Sequence, residues 1–282
     1  MSGLVLILGA NGQLGYRLAE YFAGDVQALE RTACDLETLT FPKAQALLQQ
    51  HQPRMLINAA AYTAVDAAEG ERARAEAVNA QAPGLLAHAA AQMNIPFVHF
   101  STDYVFDGAR GPYGENASTN PLSVYGASKW YGEQAVRAAG GRAYIFRLQW
   151  VYDTRGTNFL RTMQRLLQER DMLRVVADQL GAPTPAGVVA RAIHALAPAM
   201  QSGQLAPGTY HLSCGGFTSW HGFACAIAAQ QKSQARVLPI PSQEYPMRAP
   251  RPLDARLDCR TLAAHGTVLP HWRQAFDALM EA

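Results

Sequence analysis

A tyrosine and a lysine four residues apart offer the clearest chemistry in this sequence. Tyr125 and Lys129 stand in the stretch VYGASKWYGE, where apolar periodicity predicts a helix over Val124–Ala138. Residues i and i+4 share one face of a helix, so the phenol and the ammonium would lie about one turn apart. Free tyrosine has a pKa of about 10, and an ammonium at about 4 Å stabilises a phenolate by roughly 4 kcal/mol at an effective dielectric of ~20. The pair therefore predicts a proton donor for carbonyl reduction, with a pKa that the lysine lowers.

A threonine upstream is placed to join this pair. Thr102 follows the apolar run Phe97–Ser101 in the stretch FSTDYVFDG. Strand ends at the carboxyl edge of a doubly wound sheet face the crevice in which ligands bind. We therefore expect the Thr102 hydroxyl to hold a substrate carbonyl oxygen. The competing interpretation is a hydroxyl that only bonds the neighbouring backbone.

Three glycines in GANGQLG predict a site for the diphosphate of a dinucleotide. Gly9, Gly12 and Gly15 follow the apolar run Leu4–Leu8 and lead into a predicted helix over Leu14–Phe22. The first glycine allows a tight turn, the second lets the backbone approach the phosphates, and the third lets the helix pack on the strand. A lone motif of this kind is weak, but here it lies between a strand and a helix, as the mechanism requires.

Two charged residues after the second predicted strand bear on the choice of cofactor. Glu30 can accept hydrogen bonds from the ribose hydroxyls of NADH, and Arg31 can pair with the 2′-phosphate of NADPH. We therefore expect both NADH and NADPH to be used. The alternative is that both residues are surface charges in a loop.

Short apolar runs alternate with helical patterns through the first half of the chain. This alternation predicts an α/β fold, a doubly wound parallel sheet of the Rossmann type. Pro and Gly become frequent beyond Tyr152. We expect a dinucleotide-binding domain over 1–152, with a returning segment near 178–212, interleaved with a smaller C-terminal substrate-binding lobe over 153–282. The predicted strands are Leu4–Leu8, Val26–Leu29, Met55–Asn58, Phe97–Ser101 and Ala143–Leu148, and the predicted helices are Leu14–Phe22, Phe41–Gln50, Ala73–Met93 and Val124–Ala138.

The composition narrows the classes of partner. The 282 residues are 49% hydrophobic and carry a net charge of +2 without a basic run, which indicates neither nucleic acid nor a membrane surface as a partner. The four cysteines have no zinc or redox spacing, so we expect free thiols in a reducing compartment. The apolar start is too short for a signal peptide or a membrane span, so we expect a cytoplasmic protein.

These motifs together resemble the dTDP-4-dehydrorhamnose reductase family, within the extended short-chain dehydrogenase/reductase superfamily. The similarity covers nearly the whole chain and runs through GANGQLG, STDYVFDG, NPLSVYGASKWYGE, FRLQWVY, DQLGAPT and RPLDARLD. It implies reduction of the 4-keto group of a dTDP-4-keto-6-deoxy sugar by NADPH or NADH. The expected substrate is dTDP-4-dehydro-L-rhamnose, and the expected product is dTDP-L-rhamnose.

The resemblance also implies roles for individual residues. Thr102, Tyr125 and Lys129 match the catalytic triad of the family, and Thr102, Asp103 and Trp150 match contacts to the sugar nucleotide. Among the second-lobe arginines Arg161, Arg165, Arg248 and Arg251, the last belongs to the family motif RPLDARLD, and arginine suits a diphosphate. With the glycine turn and the second strand end, the expected cofactor contacts are Gly9, Asn11, Gly12, Gln13, Leu14, Gly15, Glu30, Arg31, Asp35, Leu36, Ala60, Ala61, Tyr62, Tyr125 and Lys129.

Four positions depart from the family pattern. Gln149 and Ala255 stand where serine is common, which bears on the shape of the substrate pocket. Some family members bind Mg²⁺ through glutamates at a dimer interface, and the matching positions here are Arg17 and Gly187. Because arginine repels a cation, we predict no structural metal, and a monomer or weak homodimer.

Two other functions stay open. Sugar-nucleotide dehydratases and epimerases belong to the same superfamily, and the dehydratases use an Asp-Glu pair after the threonine, whereas this chain has Asp103 and Tyr104. A regulatory subunit resembling that of methionine adenosyltransferase binds NADP without turnover. The intact set of Thr102, Tyr125 and Lys129 favours an active reductase.

Overall fold

A parallel sheet of six strands lies at the centre of this computed structural model, which describes residues 3–281. In chain order the strands are β1 (Val5–Leu8), β2 (Val26–Leu29), β3 (Met55–Asn58), β4 (Phe97–Thr102), β5 (Ala143–Leu148), β6 (Val151–Tyr152), β7 (Met172–Val176), β8 (Leu180–Gly181), β9 (Thr184–Pro185), β10 (Gly208–His211), β11 (Thr218–Ser219) and β12 (Arg236–Ile240). The order across the main sheet is β10-β5-β4-β3-β1-β2, and every neighbouring pair is parallel.

Helices cover both faces of the main sheet. One face carries α1 and α8, and the other carries α2, α5 and α6. This arrangement confirms the predicted doubly wound α/β fold. In chain order the helices are α1 (Gln13–Tyr21), α2 (Phe41–His51), α3 (Val65–Ala68), α4 (Arg72–Glu76), α5 (Ala82–Gln92), α6 (Val124–Ala139), α7 (Phe159–Glu169), α8 (Ala186–Ser202), α9 (Trp220–Gln230), α10 (Arg260–Ala264) and α11 (Trp272–Glu281).

Strand β1 shows why its apolar run has no polar interruption. Val5 and Ile7 belong to the core cluster that includes α1 and α8, whereas Leu6 and Leu8 belong to the cluster that includes α2 and α5. All four side chains are buried. A strand covered on both faces requires an apolar residue at every position, which is the pattern of a parallel sheet under helices.

The strand order fixes where a ligand can bind. Strand β1 has β2 on one side and β3 on the other, so the chain reverses its direction of travel across the sheet at this point. In open α/β sheets the crevice lies at such a switch point, outside the carboxyl ends of the strands. The carboxyl ends of β1, β3 and β4 therefore define the expected site.

The second half of the chain contributes to two regions. Helix α8 packs on α1, and β10 extends the main sheet beside β5. Helices α7, α9 and α11 pack with the parallel pair β7 and β12 around a separate apolar cluster that contains Phe223, Trp272 and Phe276. The edge-to-face contacts of Phe223 with both other rings fill this cluster.

The helix predicted over Ala73–Met93, as one piece or two, is divided in the structure. A π-helical turn over Ala77–Gln81 joins α4 to α5. Asn79 in this turn is fully buried and donates to the backbone oxygen of Tyr62 and to Ser128 Oγ, at 2.9 and 3.0 Å. Its backbone oxygen lies so near Gly132 of α6 that a Cβ added there would be only 2.0 Å away. The π turn thus lets α6 approach closely.

We predict that Gly132→Ala lowers the free energy of unfolding by about 1–3 kcal/mol, because the added methyl group forces α6 away from the π turn. Chemical denaturation of the purified variant measures this. The matched control is Gly187→Ala in α8, where an added Cβ meets nothing closer than Arg17 Cδ at 4.0 Å. That variant should be neutral or slightly stabilised by helix propensity. Equal stability of the two variants would contradict the packing described here.

Candidate active site

A cavity of about 840 Å³ opens at the carboxyl ends of β1, β3 and β4 and extends to the second half of the chain. Most of the residues expected from the sequence line it. They are Gly9, Asn11, Gly12, Gln13, Leu14, Arg31, Asp35, Leu36, Ala60, Ala61, Tyr62, Thr102, Asp103, Tyr125, Lys129, Trp150 and Arg251. Gly15 and Glu30 are not in the cavity wall.

The glycine turn has the geometry that its sequence predicts. Gly9 has a φ of +85°, and a Cβ there would lie 2.6 Å from the backbone nitrogen of Ala60. A Cβ at Gly15 would lie 2.1 Å from the Gly9 oxygen, so Gly15 allows α1 to pack on the turn without reaching the cavity. Gly12 is the N-cap of α1, and the first turn of that helix faces the cavity.

The end of β2 differs from the expectation for Glu30. This residue does not line the cavity, whereas the neighbouring Arg31 does. Arg31 donates to Glu37 Oε2 at 2.8 Å, and Arg74 donates to the same oxygen at 3.0 Å. Arg74 also lines the cavity, and its guanidinium lies 5.7 Å from the centre of the Tyr62 ring. The region that would meet an adenosine ribose therefore presents two guanidinium groups side by side.

Arg74 was not predicted as a site residue. It lies on α4, far from β2 in the sequence. Nothing in the stretch GERARAE distinguishes Arg74 from Arg72 as a cofactor contact. Only the folded chain brings it to Glu37, 37 residues away.

The three residues expected to perform the chemistry line one wall of the cavity. Thr102 is the last residue of β4, and Tyr125 and Lys129 lie in the first two turns of α6. Ser123 caps this helix by accepting from the Gly126 backbone N–H at 3.1 Å. The Lys129 ammonium donates to the Phe100 backbone oxygen at 2.5 Å, which holds it beneath the wall.

Burial has the largest effect on the pKa values of Tyr125 and Lys129 in this wall. Burial raises the pKa of Tyr125 to about 12, against a lowering effect of its hydrogen bond with Thr102. Burial also lowers the pKa of Lys129 to about 8, against a raising effect of the Glu133 carboxylate. The net shift of the Tyr125 pKa is therefore upward, opposite to the expected lowering, because desolvation of the phenol is the largest effect.

Asp103 is a buried carboxyl whose partners are neutral. It accepts from Thr102 Oγ1 at 3.0 Å and from Gln149 Nε2 at 2.9 Å. Burial raises its pKa to about 7, although both hydrogen bonds oppose the rise. A carboxylate without a cationic partner in such surroundings is costly to ionise.

An aromatic stack forms another part of the cavity wall, where Trp150 meets the second half of the chain. Trp150 has a φ of +45°, and its ring stacks on Trp220 with centroids 3.6 Å apart. A Cβ at Gly181 would lie 2.4 Å from the Trp150 ring, so only glycine leaves room for this stack. Trp220, Phe223 and Asn158 also line the cavity and were not predicted as site residues, although Asn158 lies in TNFLRTM, a stretch that resembles the family.

Only one of the four arginines proposed to bind a diphosphate lines the cavity. Arg251 lines the cavity and makes two hydrogen bonds to Asp66, at 2.8 and 3.1 Å. Arg161, Arg165 and Arg248 do not line it. Arg165 pairs instead with Glu169 on the same helix, at 2.7 Å. The set of four arginines is therefore reduced to one.

Arg17, the departure from the metal-binding pattern, is held by acidic side chains. It donates to both oxygens of the buried Asp153, at 2.6 and 2.8 Å, and to Glu20 at 2.9 Å. Within residues 3–281, no group of three or more His, Cys, Asp or Glu side chains is arranged to hold a metal ion. The same residues contain no helix that is both long and apolar enough to span a membrane.

Comparison with known proteins decides the family. A family model described as RmlD substrate binding domain matches residues 3–282. The chain belongs to the dTDP-4-dehydrorhamnose reductase family. A dTDP-4-dehydrorhamnose reductase of Burkholderia thailandensis is 46% identical, with 96% of each chain covered. That of Salmonella typhimurium is 37% identical, with 95% of this chain and 94% of the relative covered.

A solved structure of the family has the same fold. The dTDP-4-dehydrorhamnose reductase from Bacillus anthracis, in complex with NADP, superposes with a TM-score of 0.93 at 35% sequence identity, over 99% of both chains. The family assignment made from the motifs is thereby confirmed.

We predict that Asp103→Asn stabilises the protein, and more so at high pH. The folded pKa of Asp103 is raised, so its destabilising effect is absent below the unfolded pKa and complete above about 7. The gain in unfolding free energy at about pH 8 should exceed that at about pH 5 by roughly 2 kcal/mol. Denaturant titrations at both pH values measure this.

The matched control for this prediction is Asp107→Asn. The hydrogen bond from Tyr113, at 2.6 Å, lowers the pKa of Asp107, so this carboxylate stabilises the fold at both pH values. Its removal should destabilise the protein at each pH. A pH-independent loss of stability in Asp103→Asn would show that Asp103 is not a desolvated carboxyl.

Proposed function

We propose that the protein reduces the 4-keto group of dTDP-4-dehydro-L-rhamnose to give dTDP-L-rhamnose, with NADPH or NADH as the reductant. The observation that carries the proposal is that Thr102, Tyr125 and Lys129 share one cavity with the glycine turn. A proton donor thus lies in the same enclosure as a dinucleotide site, as carbonyl reduction requires.

The residues present fit a nicotinamide dinucleotide. The first turn of α1 faces the cavity, and the N–H groups of a first turn have no partners within their helix, so they can bind a diphosphate. Ala60, Ala61 and Tyr62 line the cavity beside the glycine turn, and Asn79 fixes Tyr62 by accepting from its backbone N–H at 2.9 Å. When bound, the reduced nicotinamide supplies a hydride to the carbonyl carbon.

The chain supplies the proton and the alignment. Tyr125 donates its phenolic proton to the carbonyl oxygen, and the Thr102 hydroxyl holds that oxygen in place. A Lys129 pKa of about 8 leaves its ammonium mostly charged at neutral pH, so it can stabilise the phenolate that forms. The raised pKa of Tyr125 keeps the phenol protonated until a substrate arrives.

The substrate site follows from the groups at the far end of the cavity. The stacked rings of Trp150 and Trp220 provide an apolar wall for the deoxysugar, whose 6-methyl group favours such a surface. Arg251 is the cavity arginine on this side and can meet the nucleotide diphosphate. The interleaved lobe over 153–282 would thus hold the sugar nucleotide, and the domain over 1–152 would hold the cofactor.

Two alternative functions differ from this proposal in particular residues. A dehydratase needs a second carboxylate beside the catalytic threonine, and Tyr104 occupies that position. A regulatory subunit would bind the dinucleotide without turnover. Oxidation of NADPH at 340 nm in the presence of a dTDP-4-keto-6-deoxyhexose distinguishes a reductase from both. We further propose that the protein is a monomer or a weak homodimer without a bridging metal, since Arg17 is held by Asp153 and Glu20.

We predict that Tyr125→Phe lowers kcat by about 10²- to 10⁴-fold with little change in the Kd for NADPH, because it removes only the positioned acid. Lys129→Ala should lose both turnover and cofactor affinity. Stopped-flow absorbance at 340 nm and fluorescence titration measure the two quantities. The control is Tyr131→Phe, an exposed tyrosine of the same helix, which should behave as wild type. A Tyr125→Phe enzyme with near wild-type kcat would refute the proton donor.

We predict that wild type uses both cofactors and that Arg74→Ala and Arg31→Ala each lower kcat/KM for NADPH by about 10-fold, with NADH unaffected. The reason is that only NADPH carries a 2′-phosphate for the guanidinium groups to bind. The control is Arg72→Ala, an arginine of the same helix as Arg74, which pairs with Glu76 and does not line the cavity. Equal losses with both cofactors would place the 2′-phosphate elsewhere.

A further inference from the structure

Gln149 is a buried amide that contacts three separate parts of the chain. Its side chain is 1% exposed. Nε2 donates to Asp103 Oδ2 at 2.9 Å and to the backbone oxygen of Ala255 at 2.8 Å. Oε1 accepts from the backbone N–H of Ala182 at 2.8 Å. Both amide hydrogens and one acceptor position are therefore used, and none of these partners is near Gln149 in sequence.

Each of the three contacted segments carries part of the site. Asp103 follows Thr102 at the end of β4. Ala182 follows Gly181, against which the Trp150 ring packs. Ala255 lies four residues after Arg251. The amide of Gln149 therefore sets the spacing between the catalytic wall and the two segments that face the sugar nucleotide.

Through Asp103, Gln149 is connected by hydrogen bonds to the Thr102 hydroxyl. Thr102 Oγ1 donates to Asp103 Oδ1 at 3.0 Å and accepts from the Tyr104 backbone N–H at 3.2 Å. Because Gln149 holds one oxygen of the carboxyl, the other oxygen is fixed where it receives the Thr102 proton. A carboxyl free to rotate would leave the direction of the Thr102 hydroxyl undefined.

We propose that Gln149 is a positioning residue, which fixes the Asp103 carboxyl and thereby the position of Thr102 Oγ1, whose single proton lies on Asp103 in the free protein and turns to the substrate carbonyl oxygen when substrate binds. The proposal rests on the reductase function proposed above, and it adds a residue that does not itself line the cavity. Gln149 acts through Asp103, so its effects on catalysis must depend on the presence of that carboxyl.

The surroundings of Asp103 contain few other charges. The titratable groups that face it are the phenols of Tyr104 and Tyr125, and Arg251 lies against the Tyr104 phenol. Gln149 and Thr102 supply the side-chain hydrogen bonds that favour the ionised form of Asp103. Removal of the Gln149 donor therefore shifts the Asp103 pKa upward.

The first test is a double-mutant cycle with Gln149→Met, which keeps the volume and removes all three hydrogen bonds. We expect kcat/KM to fall roughly 10- to 100-fold while the Kd for NADPH is unchanged. In the Asp103→Asn background the same substitution should cause little further loss, since coupled residues are not additive.

The matched control is Gln179→Met. Gln179 is also buried, but it bonds Ser242 Oγ and Trp220 Nε1 and makes no contact with Asp103. Any fold-decrease in kcat/KM caused by Gln179→Met should multiply with the fold-decrease caused by Asp103→Asn. If the losses of Gln149→Met and Asp103→Asn also multiply, Gln149 is merely structural and the proposal is overturned. Wild-type kcat/KM in Gln149→Met overturns it as well.

The second test is Gln149→Glu, which covers the case in which the methionine variant does not fold. The introduced carboxyl can still accept from Ala182, but it donates to Asp103 only when protonated. Relative to wild type, its kcat/KM should therefore recover as the pH falls from about 8 to about 6. A constant deficit across this range would contradict the proposal.

A readout without turnover separates this inference from the proposed function. The ¹³Cγ resonance of Asp103, assigned through Asp103→Asn, reports its titration directly. Its midpoint should be higher in Gln149→Met than in wild type, even if the sugar nucleotide is not the substrate. An unchanged midpoint would refute the contact between Gln149 and Asp103, whereas wild-type protein that does not oxidise NADPH would refute the proposed function alone.

Discussion

Desolvation of the polar groups at the carboxyl end of β4 is the constraint on which the rest of the site depends. Asp103 and Lys129 are each only 2% exposed, and Thr102 is 6% exposed. Burial of this degree shifts a titration toward the uncharged form and strengthens every hydrogen bond that remains. Asp103 and Lys129 therefore need hydrogen-bond partners, which Gln149 and the Phe100 backbone oxygen supply, whereas the buried Ser101 Oγ has no such partner among the described residues.

The same constraint explains what lies behind the wall. Lys129 finds the Phe100 oxygen, and the nearby His99 is fully buried, which holds its pKa well below the usual range and keeps the ring neutral. Glu133 is paired with the buried Arg147 at 2.7 Å and still favours the charged form of Lys129. Lys129 thus remains a cation that lines the cavity, held by the Phe100 oxygen beside a neutral histidine and a carboxylate that is paired with Arg147.

The elements that could be predicted from the sequence are those fixed by local rules. The continuous apolar run of β1 and the spacing of Gly9, Gly12 and Gly15 are patterns within a few residues of the sequence. So is the pairing of Tyr125 with Lys129 on α6. The strands of the first half were placed within one residue of their bounds. The signal was strongest for β1, where burial on both faces of a parallel sheet leaves an unbroken apolar run.

The parts that could not be predicted depend on contacts between distant segments. Gln149 and Ala255 were both noted as departures from the family, but nothing in the sequence shows that they bond to each other across 106 residues. Trp220 reaches Trp150 only because Gly181 leaves space for the ring. The titration of Tyr125 was predicted in the wrong direction, because helical spacing gives the distance to Lys129 but not the degree of burial.

The most direct test of this account is the titration of Tyr125 in the cofactor-free protein. The phenolic ¹³Cζ resonance, assigned through Tyr125→Phe, distinguishes the phenol from the phenolate. If desolvation controls the wall, the resonance should keep its phenol position through about pH 10 and titrate with a midpoint of about 12. A midpoint below the free value of about 10 would show that the charge of Lys129 outweighs burial, and would contradict the account.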